Sequence, residues 1–138
     1  MNSQYSEDEL YGSEQFAVGG YDSVRGFRDY FLTGNSGYYF RNSATFNVGS
    51  LISPLMTTSP AYLANLSKFK LQPFYDYGFV SIQHNHTSGR LAGTGIKTIF
   101  ESQYFTASLT YSAVTNRSKL ISSKENKIIY FEITASCC

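Results

Sequence analysis

The sequence predicts an all-β protein built from long strands. Three observations carry this. Apolar and polar residues alternate with period two over five separate stretches, and that period belongs to a strand with two unlike faces. The composition is polar and aromatic, with 12 Tyr and 11 Phe in 138 residues and no Trp, and aromatic side chains favour the pleated sheet. Several stretches reach about 10 residues, which is what a tilted strand needs to cross a bilayer. Strands of soluble proteins are usually ~5–6 residues long.

Taken in order, the first stretch is Tyr38–Val48. Tyr38, Phe40, Ala44, Phe46 and Val48 share one face, interrupted by Asn42, and Tyr39, Arg41, Ser43, Thr45 and Asn47 share the other. In Lys68–Phe79 the apolar face reads Phe69, Leu71, Pro73, Tyr75, Tyr77, Phe79, against Lys68, Lys70, Gln72, Phe74, Asp76, Gly78. Pro73 weakens this strand, because proline donates no ladder hydrogen bond. Arg90–Ser102 is noisier. Ala92, Ile96 and Phe100 oppose Gly93, Gly95, Lys97 and Glu101, while Thr98 and Ile99 break the pattern. Gln103–Val114 alternates cleanly, with Phe105, Ala107, Leu109, Tyr111 and Ala113 against Tyr104, Thr106, Ser108, Thr110 and Ser112. The last stretch, Lys127–Ser136, sets Ile129, Phe131, Ile133 and Ala135 against Ile128, Tyr130, Glu132, Thr134 and Ser136, and should pair with the one before it. The connections Leu10–Gly37, Ser50–Ser67 and Thr115–Glu125 are polar or turn-rich, and no helix is expected.

The second face is too polar for a soluble core and suits a water-filled lumen, with the apolar face turned to lipid. A soluble sheet with its polar face to water uses the same alternation. Periodicity therefore leaves both a membrane barrel and a small soluble β-sandwich binding module open.

Composition excludes more than it identifies. The net charge is +1, from 11 basic and 10 acidic residues, so no clustered basic face suggests a nucleic-acid partner. No apolar run reaches the ~18 residues of a membrane-spanning helix. The opening MNSQYSEDEL has neither a basic nor an apolar segment, so no signal peptide is read there. Cys137 and Cys138 are adjacent, and two such cysteines make neither a zinc site nor an ordinary disulfide. His84 and His86 fall at a predicted turn without a third ligand. Gly93-Thr94-Gly95 lacks the Lys and helix of a phosphate loop and fits a crowded wall better. No nucleophile elbow or Ser/His/Asp set is present. The reading is a non-enzyme with no cofactor and no metal.

The segment Gln15-Phe16-Ala17-Val18-Gly19-Gly20-Tyr21-Asp22-Ser23-Val24-Arg25-Gly26-Phe27 is specific. It resembles the signature loop of two-partner secretion outer-membrane transporters, of the haemolysin activator and filamentous haemagglutinin secretion type. That loop carries a Gly-Gly pair followed by Val-Arg-Gly and an aromatic. Gln4-Tyr5-Ser6 and Ser13-Glu14 look like its approach. Ser36-Gly37-Tyr38-Tyr39-Phe40-Arg41-Asn42 is similar to the strand after it. Phe74-Tyr75-Asp76-Tyr77-Gly78 looks like the second motif on the next strand. Order and spacing agree, most densely from Gln4 to Gly78.

The resemblance implies a fold and a function. The fold is the C-terminal part of a transmembrane β-barrel, an antiparallel meander of about five of 16 strands. Residues 1–37 form a long inward-folding loop region and residues 38–138 the barrel strands. The function is passage of a large secreted partner, a haemolysin, adhesin or haemagglutinin, across the Gram-negative outer membrane. Lipid and the barrel assembly machinery are further implied partners. The plug helix, client-capture domains and the rest of the barrel would lie outside this chain, since five strands cannot close a barrel. The related insertases of outer-membrane barrels share the Arg-Gly loop, but the Gly-Tyr-Tyr-Phe-Arg-Asn strand favours secretion. Val24, Arg25, Gly26 and Phe27 are the expected loop tip, and Phe74, Asp76 and Gly78 the expected wall motif. Arg25 should reach Asp76, as a partly solvated pair worth about 1 kcal/mol in an open fragment. Two departures stand out. Ser43 occupies the position where the family usually has Glu, and Ala135-Ser136-Cys137-Cys138 replaces the usual terminal aromatic.

Overall fold

The computed structural model describes residues 1–28, 31–55, 60–82, 87–119 and 126–135. His84, His86, Ser136, Cys137 and Cys138 lie outside the described residues. The described elements are β1 (Asn2–Gln4), β2 (Phe16–Val18), β3 (Leu32–Gly34), β4 (Ser36–Ser43), β5 (Phe46–Asn47), α1 (Val48–Ile52), α2 (Pro60–Leu66), β6 (Phe69–Ile82), β7 (Thr87–Glu101), β8 (Phe105–Arg117) and β9 (Lys127–Ala135). One sheet runs in the order β1-β4-β6-β7-β8-β9, with β5 paired to β6. β2 and β3 form a separate hairpin. From β4 onward the sheet is a meander, and β8 and β9 are neighbours as expected.

Two expectations are corrected. The stretch Tyr38–Val48 is not one strand. It stops at Ser43, resumes for two residues paired Phe46↔Leu71 and Asn47↔Lys70, and turns helical at Val48. The gap falls where Ala44 N–H donates to the Pro73 carbonyl at 3.2 Å. N–H and C=O of one strand residue point the same way, so the donor that proline lacks would also face this break. That is how Pro73 sits inside a 14-residue strand. Second, the connection after β5 does hold helices. Asn47 caps α1, its side chain accepting from the Ser50 amide at 3.2 Å. α2 opens on Pro60, where the missing N–H costs nothing. At five and seven residues, neither is long enough for a 3.6-residue period to show in sequence.

The strand faces invert the arrangement of a soluble protein. Asp76, Ser108, Thr110 and Ser112 are buried, whereas Tyr75, Leu109, Tyr111, Ile129, Phe131 and Ile133 are exposed. Leu109 is 49% and Phe131 67% accessible, while Ser112 is 0%. The outward register carries two ring clusters. Tyr38 meets Phe40, Tyr77 and Phe79 at centroid distances of 5.4, 6.2 and 5.5 Å. Phe100 meets Phe69 at 4.8 Å and Phe105 at 5.8 Å.

Tertiary contacts divide the chain into two compact units. The first comprises Met1–Asn42, Tyr75–Thr94 and Ser112–Ile128. Its core is Phe16, Val18, Val24, Phe27, Leu32, Val80 and Leu91, with Tyr39 and Val114 packed against it. β1 pairs antiparallel with β4 (Ser3↔Tyr38), and the hairpin pairs Ala17↔Thr33. The second unit comprises Ser43–Phe74, Gly95–Tyr111 and Ile129–Cys138. Its inward face is charged and open. Lys70 Nζ meets both Glu101 oxygens at 2.7 Å, and Lys97 Nζ lies 3.5 Å from Glu132 Oε2. Lys97, Glu101, Thr106, Ser108, Glu132 and Thr134 line a cleft of about 280 Å³.

The exposed apolar register generates a solution test. Soluble monomers rarely expose contiguous apolar patches beyond a few hundred Å², so the chain should be monodisperse only with detergent or lipid. Size-exclusion chromatography with light scattering checks this. A cooperatively melting monomer in plain buffer would contradict it.

Candidate functional site

The site is built where a loop meets the inward face of the sheet. β2 leads to Gly19 and Gly20, both at positive φ (135° and 81°), and Gly26 closes the turn at φ 113°. Residues with a side chain rarely adopt that region. Ser23 Oγ donates to the Gly19 carbonyl at 2.6 Å and accepts from the Gly19 amide at 2.7 Å, tightening the turn. The chain then delivers Val24 and Phe27 to the apolar core and Arg25 to the wall.

Asp76 holds Arg25 at three points. Arg25 Nε donates to Asp76 Oδ2 at 2.6 Å and Nη2 to Oδ1 at 2.8 Å. The Arg25 backbone amide donates to Oδ2 at 3.1 Å. The two side-chain bonds form a planar fork that a lysine ammonium could not reproduce. Strand alternation puts Asp76 on the same register as Phe74 and Gly78. Each does a different job. Phe74 is buried, its ring against Gly95, where an added Cβ would lie 2.6 Å from Cζ. Gly78 leaves room for the loop, since a Cβ there would overlap Val18 Cγ1 and lie 3.0 Å from Val24 Cγ2.

The expectation of a partly solvated pair is corrected. The side chains of Arg25 and Asp76 are 4% and 0% exposed. The shielding comes from the loop's own apolar residues. Phe16, Val18, Val24, Phe27 and Leu32 pack on Val80 and Leu91 and exclude water without a closed barrel. Sequence reasoning named Val24 and Phe27 as loop tip but missed the parts played by Phe16, Val18, Leu32, Val80 and Leu91. The readable signal was the inward register itself, which turns from Lys68, Lys70 and Gln72 to Gly78 and Val80 along β6, and from Glu101 and Lys97 to Gly93 and Leu91 along β7. A lumen wall bare to water has no need of those small and aliphatic side chains. Ser43, where a Glu was expected, is exposed. Its neighbour Arg41 instead donates from Nη1 to the Asp22 carbonyl at 3.2 Å.

Because the pair is buried, removing one member leaves a desolvated charge behind. Asp76→Ala should cost about 3–5 kcal/mol, the range for breaking a buried ion pair. Urea unfolding in micelles measures it. A loss within the ~0–1 kcal/mol of an exposed pair would mean that water reaches the guanidinium.

The chain is similar to known proteins. The chain is 47% identical over 49 residues to the outer membrane transporter CdiB of Escherichia coli, covering 36% of this chain and 8% of that protein. It is 50% identical over 51 residues to the outer membrane transporter CdiB of Dickeya dadantii (strain 3937), covering 37% and 9%. The solved structure of CdiB from Escherichia coli superposes with a TM-score of 0.66 at 22% identity, over 95% of this chain and 22% of that one. The fold is thus that of a segment of a β-barrel, and the chain spans a small part of its relatives' length. Residues 1–99 match the profile of the haemolysin secretion/activation protein ShlB/FhaC/HecB family, and the chain belongs to that family.

Proposed function

We propose that the chain forms the C-terminal wall of an outer-membrane barrel that exports a large partner protein, with residues 1–37 as the region that carries the motif loop, whose Gly19–Phe27 turn packs on the wall, and residues 38–138 as the barrel strands. The partner class is a secreted haemolysin, adhesin or haemagglutinin. The role is transport rather than catalysis, and it calls on no cofactor. The observation that carries the reading is the three-point, buried anchorage of Arg25 on Asp76. A loop that were merely exposed would have no reason to desolvate a charge.

The inverted faces support it. The outward register of β6 carries Phe69 near its start and Tyr77 and Phe79 near its end, as the aromatic girdles of lipid-facing strands do. Lipid is the occupant of that register, and the polar inward register borders the path of the client. Delivery to the membrane runs through the barrel assembly machinery. Val24, Arg25, Gly26 and Phe27 act as the loop tip, and Phe74, Asp76 and Gly78 as its seat. Together they hold the barrel interior in its conducting arrangement.

The test is secretion from cells carrying the assembled transporter. Arg25→Ala should reduce export of the partner at least about tenfold while membrane insertion, read by heat-modifiable migration, stays near normal. The double variant with Asp76→Ala should do little more harm than either alone, because both changes remove one interaction. Normal export in Arg25→Ala would sink the reading. Strictly additive defects would show that the two residues do not act as a unit.

A further inference from the structure

The wall beneath Arg25 is made partly by a residue outside both motifs. We propose that Gly93, on β7, is a positioning residue for the Arg25–Asp76 fork: its missing side chain is the space in which the Arg25 backbone rests. This deepens the reading of that fork as the anchor of the loop.

A Cβ built on Gly93 would overlap the Arg25 carbonyl oxygen, with the Arg25 carbonyl carbon at 3.0 Å and Val24 Cγ1 at 3.7 Å. The obstacle is backbone, so no rotamer change relieves it. Gly93 is itself buried, as are its register neighbours Leu91 and Gly89. The other side of the turn is equally tight. A Cβ on Gly26 would lie 3.1 Å from Ser112 Oγ on β8 and 3.6 Å from the Ala113 carbonyl. The tip is therefore confined between Gly93 and Ser112, with Gly78 beneath Val18 and Val24. The consequence follows from the geometry of the fork. Two side-chain donors and the Arg25 amide converge on one carboxylate at 2.6, 2.8 and 3.1 Å. The amide and the carbonyl that Gly93 seats flank the same Cα, so displacing one shifts the other, and hydrogen bonds weaken steeply once distance and angle leave their narrow range. Lifting the backbone by even the width of a methyl group breaks the hydrogen bond from the Arg25 N–H to Asp76 Oδ2 and tilts the guanidinium out of the carboxylate plane. Gly93 thus fixes how deep the tip sits, whereas Asp76 fixes what holds it there.

The experiment uses the assembled barrel in outer-membrane vesicles. The readout is hydrogen exchange of the Arg25 amide, with trypsin cleavage after Arg25 relative to the exposed Arg28 as a second measure. Gly93→Ala should lower Arg25 amide protection at least ~10-fold, with Gly93→Val lowering it further. Ile96→Val, exposed on the opposite register, should leave it unchanged. In an Asp76→Ala background the amide has already lost its acceptor, so Gly93→Ala should add less than ~2-fold. A general weakening of β7 would instead act equally in both backgrounds. Unchanged protection and unchanged cleavage in Gly93→Ala would overturn the proposal, and so would additive effects in the cycle. Gly93→Ala alone decides the matter if Gly93→Val fails to assemble. Export is scored separately. If Arg25→Ala secretes normally while Gly93→Ala still exposes the amide, the transport reading fails and the seating assignment stands.

Discussion

A carboxylate buried in the wall of a sheet has to be satisfied, and much of this structure follows from how that is done. Asp76 would be costly if left alone, since an ionised group away from water needs a partner and filled hydrogen-bonding sites. Arg25 meets both needs from 51 residues away in sequence. It also commits its own amide to the carboxylate. Once the arginine backbone must approach β7 this closely, Gly93 has to be glycine. Once the turn must double back beside β8, Gly26 must hold φ at 113°. The hydrophobic residues of β2, β3 and the tip then close over the pair. Burial, fork and glycine seat are mutually dependent.

Among the described residues, the apolar core is shared between the loop and the wall. The outward apolar residues contribute nothing to that core. In water this would be a poor design, because the strands turn Leu109, Phe131 and Ile133 outward while burying Asp76, Thr110 and Ser112. In a bilayer the same arrangement follows from the solvent. A bilayer suits an apolar outward register, and the interior of a barrel suits a polar one. The inward face is also not uniform. It is charged and open around Lys97, Glu101 and Glu132, and glycine-rich and covered around Gly78 and Gly93.

Much of this was legible in the residues. Period two located the long strands after β5, because side chains of a strand alternate faces whatever surrounds it, but it ran the first stretch on past the end of β4 at Ser43. β6, β8 and β9 begin and end within a few residues of where alternation put them. The ordered motifs pointed to Arg25 and Asp76 as partners, and the register of Asp76 with Lys68 and Gln72 placed it on the inward face. The hairpin of β2 and β3, the two-residue β5 and the helices α1 and α2 were not legible. Elements of two to seven residues are shorter than the window a period needs.

The sequence by itself therefore determined the long strands after β5, the two chemically unlike faces and the identity of the charged pair, since each depends on residue type and spacing along the chain. Only the tertiary structure decided how deeply that pair is buried and which residues bury it. Val80, Leu91 and Gly93 stand on the same inward register as lysines and glutamates. Nothing local distinguishes a wall position that meets water from one that meets a loop. That distinction is made by where Phe16, Val18 and Val24 come to rest, through contacts between residues dozens of positions apart, and alternation carries no information about such contacts.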